Sequence, residues 1–229
     1  MDGLLIIDKP QWLTSHDVVL KLRKKIGQQK IGHAGTLDPL ATGVLILVLG
    51  KATKIVSKLI NQDKVYEVTL MLGISTDTGD ITGKITEKQD IQNIDQTLIK
   101  NTLNKFQGHL IQTPPMVSAK KYKGRPLYKY ARQGQIIPRT AKDIHVYSLV
   151  INNINIPEIS FTVNCSKGTY IRTLCEDIGK SLGIGACASR IHRTKSGFFN
   201  IQQAVTLDKL LSLDMEEIKK HLIPIEKVI

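Results

Sequence analysis

The 229-residue sequence predicts an α+β fold on three observations. Val44-Leu45-Ile46-Leu47-Val48-Leu49 is an unbroken apolar run between Gly43 and Gly50, the pattern of a buried strand. Tyr66, Val68, Leu70 and Leu72 alternate with Glu67, Thr69 and Met71; Ile159, Phe161, Val163 and Cys165 repeat that period later, so both segments read as strands with one buried face. Val18, Val19, Leu22 and Ile26 instead share one face of a helix. The strands outnumber what a simple βαβ alternation would hold, which sets the class.

In chain order, residues 3–8 form a short apolar strand ending at Asp8-Lys9-Pro10. Thr14-Ser15 is a helix N-cap with Asp17 in the first turn, and Lys21, Arg23, Lys24 and Lys25 face outward until Gly27 stops the helix. From Gly32 to Gly43, three glycines and a proline specify a shaped loop, and Pro39 biases Asp38 towards an extended backbone. A helix is expected from Thr53 to Ile60, and a turn at Thr76-Asp77-Thr78-Gly79-Asp80 leading into a strand over residues 81–86. Asp95 caps a helix running to about Phe106, with Leu98, Ile99 and Leu103 inward, and Thr113-Pro114-Pro115 breaks the pattern. Strands follow over residues 144–151 and 159–165, then a helix from Tyr170 to Leu182 stopped by Gly183. Phe198 and Phe199 lie near a short strand, Thr206 caps a short helix, and Met215 to His221 forms the last.

Composition narrows the function. With 41% hydrophobic and 23% charged residues, the chain is long enough for a substantial core. No apolar run approaches the ~20 residues of a membrane helix, and Met1-Asp2-Gly3 carries no basic lead-in to a secretory signal, so a cytoplasmic location is expected. Cys165, Cys175 and Cys187 are odd in number and widely spaced, which suits buried thiols better than zinc or a disulfide framework. The net charge of +12 favours a polyanionic partner. Between Ala119 and Lys142 stand Lys120, Lys121, Lys123, Arg125, Lys129, Arg132, Arg139 and Lys142, with no acid and with Tyr122, Tyr128 and Tyr130 interleaved. Phosphates need charge and unstacked bases need a flat partner, so this segment reads as an RNA contact; the alternative is a solvated cationic loop with core tyrosines.

On spacing alone, Asp38 is a turn residue. The stretch around it, however, resembles the signature loop of the TruB family, the tRNA pseudouridine-55 synthases: all eight fixed positions of G-H-x-G-x-L-D-P-x-A-x-G match from Gly32 to Gly43. Lys9-Pro10 with Thr14-Ser15, Lys64-Val65-Tyr66, Asp77-Thr78-Gly79-Asp80 and Ser166-Lys167-Gly168-Thr169-Tyr170-Ile171-Arg172-Thr173 resemble the family's other motifs, so the likeness spans nearly the whole chain. It implies the pseudouridine synthase fold, a central, mostly antiparallel mixed sheet flanked by helices, and a single catalytic domain over residues 1–229 whose basic flap, about residues 119–142, is mobile without RNA.

The family chemistry needs one carboxylate, a closed pocket that turns a uracil, and no cofactor or metal. The resemblance assigns the carboxylate to Asp38 and its cationic partner to Arg172, whose guanidinium can grip a carboxylate at two points. Tyr66 becomes the ring that stacks on the base, Tyr170 and Ile191 walls of the pocket, and Asp80 the ion-pair partner that orients Arg172; periodicity alone makes the first three core residues and Asp80 a turn residue. His33 resembles a wedge filling the space a flipped nucleotide vacates, against a plain loop histidine. Lys9 joins the substrate-side group with a supporting role before a chemical one, and Arg193 is a phosphate contact.

Three departures stand out. Trp12 occupies a usual glycine position, where it contacts RNA or fills a core gap; His192 replaces a common arginine; and, with Ile229 the last residue of the sequence, the C-terminal PUA-type domain usual in full-length relatives is expected to be absent. The implied activity is conversion of uridine 55 in the tRNA T-arm by a monomer with no obligate protein partner. The alternatives are a dyskerin-like, guide-RNA-dependent synthase and a catalytically silent tRNA-binding protein.

Overall fold

The computed structural model describes residues 1–91 and 94–228. The elements, in chain order, are strand β1 (Gly3–Lys9), helix α1 (Ser15–Ile26), β2 (Ile31–Ala34), β3 (Thr42–Leu49), a 3-10 turn (Gly50–Ile55), α2 (Val56–Ile60), β4 (Lys64–Leu72), β5 (Ile74–Thr76) and β6 (Ile85–Lys88). Then come α3 (Gln96–Asn104), β7 (Gly108–Gln112), β8 (Lys121–Tyr122), β9 (Arg125–Pro126), α4 (Leu127–Ala131), β10 (Lys142–Asn155), β11 (Glu158–Cys165) and α5 (Ile171–Ser181). The chain closes with β12 (Ala186–Ser196), β13 (Phe199–Asn200), β14 (Val205–Thr206), α6 (Leu207–Ser212) and α7 (Met215–Lys220). This is an α+β fold whose strand pairing is mostly antiparallel, with parallel pairs as well.

Two compact units result: residues 1–66 with 192–229, and residues 67–191. In the first, β3 is the hub. Its apolar run pairs antiparallel with β1, Ile6 opposite Ile46, on one edge. The other edge takes β2 antiparallel along residues 46–49 and β12 parallel at residues 42–43. Because β3 is covered on both faces, its run is continuous rather than alternating; Leu4, Ile6, Ala34, Val44, Ile46, Val48, Leu59 and Phe199 form one packed cluster. Helix α1 starts at Thr14, whose hydroxyl accepts from Asp17 N while the Asp17 carboxylate reaches back, and it ends at Gly27 in the left-handed conformation. The α1 stripe Val18, Val19 and Leu22 is buried.

In the second unit, β10 lies antiparallel to both β11 and β7. The buried phase of β11 is Ile159, Phe161, Val163 and Cys165, as its alternation requires. Two details differ from expectation. Residues 81–84 are a turn, because Asp80 Oδ1 accepts from Thr82 N at 3.1 Å and Asp77 Oδ1 from Lys84 N at 2.8 Å, so the strand starts only at Ile85. Leu98 is 45% exposed, not inward: the stripe Ile99, Thr102 and Leu103 is the buried one. Among the described residues, no helix is long and apolar enough to cross a membrane. The three cysteines are free and buried.

Candidate active site

Asp38 sits half-buried in the connection between β2 and β3. The backbone on both sides of it is held by groups from elsewhere in the first unit. Ser15 Oγ donates to Leu37 O at 3.1 Å and accepts from Leu37 N at 2.8 Å. Trp12 N donates to Pro39 O at 2.7 Å, and Ala41 N to Asp38 O at 3.1 Å. Lys9, fully buried, donates from Nζ to Pro10 O at 2.7 Å and Leu13 O at 2.6 Å, with Pro39 O at 3.5 Å. Arg193 donates from Nε to Val44 O at 2.7 Å and from Nη2 to Gly35 O at 2.9 Å. At Gly43, φ is +99° and a Cβ would overlap the Arg193 backbone, so only glycine lets β12 approach there.

This geometry corrects one assignment. Arg193, expected as a phosphate contact, is 1% exposed and directed at one loop carbonyl, Gly35 O, and one carbonyl of β3, Val44 O; it is not a surface ligand for RNA. Lys9 also acts on the backbone, in keeping with a supporting role. Burial pushes its pKa down to about 8, reinforced by Arg193 and opposed by the Asp38 charge. His33 is half-buried on β2, and its Nδ1 is buried with no hydrogen-bond partner among the described residues. Burial first, then the Arg193 and His16 charges, lower its pKa and favour the neutral ring. Tyr66 lies on β4 at 8% exposure.

The second unit holds the other half of the expected set. Arg172, in the first turn of α5, is 3% exposed. Its guanidinium donates to Thr78 O at 2.5 Å and Val117 O at 2.7 Å, and its Nε lies 3.8 Å from Asp80 Oδ2. Asp80 is itself fixed, its Oδ1 accepting from Thr78 Oγ1 at 3.0 Å and Thr82 Oγ1 at 2.5 Å. Tyr170 caps α5, and the Gln112 side chain clamps it, accepting from Tyr170 N at 2.7 Å and donating to Tyr170 O at 3.0 Å. Ile191, on β12, is 4% exposed.

Before β10 begins at Lys142, regular structure in the basic segment lies within residues 121–131. β8 and β9 form a hairpin whose turn residues, Lys123 and Gly124, have φ of 46° and 80°, matching the twist of paired strands. Lys121, Lys123, Lys129 and Arg132 are exposed, whereas Lys120 and Arg125 are partly covered. The tyrosines are neither core nor bare: Arg125 lies 4.7 Å from the Tyr130 ring centre, Arg132 5.4 Å from Tyr128, and Lys123 5.7 Å from Tyr122. Arg139 donates to Pro114 O at 3.2 Å.

Two of the departures are also placed. Trp12 is 66% exposed with φ of 71°, a conformation that costs a non-glycine residue about 1–2 kcal/mol, so it fills no core gap. His192 Nδ1 lies 2.8 Å from Thr42 Oγ1, beside the start of β3. Sequence reasoning missed Ser15, Gln112 and the bracing role of Arg193. Ser15 was read as part of a cap and of a motif but not as a brace for Leu37, Gln112 carries no motif, and Arg193 gave one signal: it stands two residues after the apolar Ile191 on the same strand, hence on the buried phase. No group of three or more His, Cys, Asp or Glu side chains among the described residues could hold a metal.

Comparison with known proteins matches these motifs. The profile of the TruB family pseudouridylate synthase N-terminal domain covers residues 23–171, and that of the tRNA pseudouridylate synthase B C-terminal domain covers residues 172–229. A tRNA pseudouridine synthase B from Geotalea uraniireducens is 50% identical over 208 residues, spanning 91% of this chain and 67% of that protein. One from Clostridium tetani is 44% identical over 229 residues, 100% of this chain and 78% of that protein. Among solved structures, a chain from a Cbf5-Nop10-Gar1 complex superposes with a TM-score of 0.77 at 31% identity, covering 98% of this chain and 60% of its own. The chain therefore belongs to the TruB family of pseudouridylate synthases, which are isomerases.

Proposed function

We propose that this chain converts uridine 55 in the T-arm loop of tRNA to pseudouridine, as a cytoplasmic monomer needing no cofactor. The observation that carries the reading is the backbone fixed on both sides of Asp38. In the reaction the N1–C1′ bond of the nucleotide breaks, the uracil turns, and a C5–C1′ bond forms. C5 loses its proton and N1, freed from C1′, takes one up, so no atom is gained or lost overall. A single carboxylate serves as nucleophile or base, provided it stays still while the base moves; effective positioning accounts for much of such catalysis. In this reading Asp38 is that carboxylate, Arg172 the permanent cation, oriented by Asp80, and Tyr66 the ring against the base. Tyr170 and Ile191 wall the pocket. A neutral His33 ring suits a wedge better than it suits an acid.

The uridine must leave its stack, at about a few kcal/mol. Contacts from Lys120, Lys121, Lys123, Arg125, Lys129 and Arg132 to phosphates offset that cost. The relatives that share the tRNA pseudouridine synthase B name favour a stand-alone enzyme. The fold likeness to a Cbf5 complex motivates a second reading, a synthase that works only with a guide RNA.

Mapping pseudouridine in an unmodified tRNA transcript after incubation with the purified chain separates these readings. The expected product is one pseudouridine in the T-loop. Asp38→Asn should still bind tRNA while losing at least ~10³-fold in turnover, the scale on which catalytic carboxylates act. Full turnover by that variant would remove Asp38 from the chemistry, and activity that appears only with a guide RNA would establish the second reading.

A further inference from the structure

We propose that Trp12 is a substrate-contacting residue: its indole stacks on an unpaired base of the RNA next to the nucleotide that reaches Asp38. The inference rests on the function proposed above and extends it to a position outside the basic flap.

Trp12 is the sole tryptophan of the chain. It is 66% exposed and sits at φ 71°, where glycine is the favoured residue. Burial of the ring does not compensate that backbone, so something else holds it. The turn is fixed at three points: Trp12 N donates to Pro39 O, and the buried Lys9 Nζ donates to Pro10 O and Leu13 O, on either side of Trp12. Those bonds present a large flat ring to solvent on a turn tied to the residue directly after Asp38. Strain of this kind persists where the surroundings over-determine it, and it collects at binding sites.

The surroundings specify the partner. Of the exposed residues other than Trp12 in the turn, the loop and α1, Gln11, Thr14, His16, Thr36, Lys21 and Lys24 are polar or basic, and only Pro39 and Leu20 are apolar. A protein or lipid partner would call for apolar neighbours around the indole. A lone aromatic on a predominantly polar, basic surface is the arrangement that single-stranded nucleic acid uses: charge for the phosphates and a π-face that accepts any base.

Because no other tryptophan is present, emission of the intact chain reports this site alone. The probe is an unmodified T-arm stem-loop RNA, with binding followed independently by anisotropy of end-labelled RNA. Quenching of tryptophan emission should track binding, and acrylamide should reach Trp12 less easily in the complex. Trp12→Gly, which suits the backbone, should weaken RNA binding about tenfold. Its effect should fall on KM rather than kcat and leave the salt dependence of binding unchanged, since stacking neutralises no phosphate. Trp12→Phe should recover most of the affinity. RNA binding with unaltered emission and acrylamide access would overturn the proposal, as would wild-type affinity in Trp12→Gly. A shift in emission on vesicles of equimolar phosphatidylcholine and phosphatidylserine, with none on RNA, would overturn it in favour of a membrane contact. Quenching by RNA in a chain that makes no pseudouridine would uphold the contact while refuting the proposed reaction.

Discussion

The loop between β2 and β3 and the basic segment of residues 119–142 both depend on cations, but they use them in opposite ways. Beneath the loop, Lys9 and Arg193 are 0% and 1% exposed and direct their donors at backbone carbonyls. In the basic segment, Lys121, Lys123, Lys129 and Arg132 stand in solvent, Lys123, Arg125 and Arg132 lie over tyrosine rings, and Arg139 reaches a distant carbonyl, that of Pro114. A buried cation bonded to carbonyls fixes a backbone and is costly to remove, because its acceptors are left unsatisfied. An exposed cation contributes little to the fold and remains available to a polyanion. Positioning a carboxylate calls for the first arrangement, and capturing RNA for the second.

The sharpest way to break that contrast is Arg193→Met. Two charge-assisted hydrogen bonds are lost, at roughly 1.5–3 kcal/mol each before relaxation, so a stability loss of about 3–5 kcal/mol is expected in urea unfolding. Arg193→Lys should recover part of it, since a single amine lacks the guanidinium fork that spans both Gly35 O and Val44 O. A loss below about 1 kcal/mol would show that the loop does not depend on its buried arginine.

Lys9 provides a smaller, pH-dependent version of the same test. Its folded pKa of about 8 lies below the ordinary lysine value of 10.5. The unfolded chain therefore binds more protons in the window between them, and stability must rise with pH there. Below pH 8 the charged, desolvated lysine weighs fully against the fold; above 10.5 that penalty is gone. The wild-type gain should be on the order of 1–3 kcal/mol across the window, and Lys9→Met should flatten it. Other groups titrate nearby, so the difference between the two proteins is the quantity to measure. Parallel pH profiles would remove Lys9 as a buried cation.

These residues also show what the sequence could disclose. The loop and Asp38 were legible because their signal is local: glycines, a proline and eight fixed positions in one stretch. The strands were legible from period, as in Ile159 to Cys165. Arg193 reaches Gly35 from 158 residues away, and no local pattern encodes such a bond. Gln112 is alike, a glutamine at a strand end whose partner, Tyr170, lies 58 residues on. Leu98 misled because it is adjacent to the true stripe: its backbone N–H is bound to the Asp95 cap, while Ile99 carries the burial. For Trp12, residue type left two options open, and only its exposure and φ removed the core option.

The basic segment should give the smallest stability change and still a clear functional one. Replacing Lys120, Lys121 and Lys123 by glutamine alters a partly covered residue and two exposed ones. Unfolding free energy should stay within about 0.5 kcal/mol of wild type. Each lost phosphate contact removes about 0.7–0.9 from the slope of log K against log salt. The slope should therefore fall by roughly 2–3, with tRNA affinity weakened most at low salt, where counterion release is largest. Measured beside Arg193→Met, the triple variant tests the contrast in both directions: a residue under the loop changes stability, and residues in the segment change salt dependence. If the slope is unchanged, these lysines do not face RNA. If stability drops instead, the segment belongs with the loop as part of the scaffold.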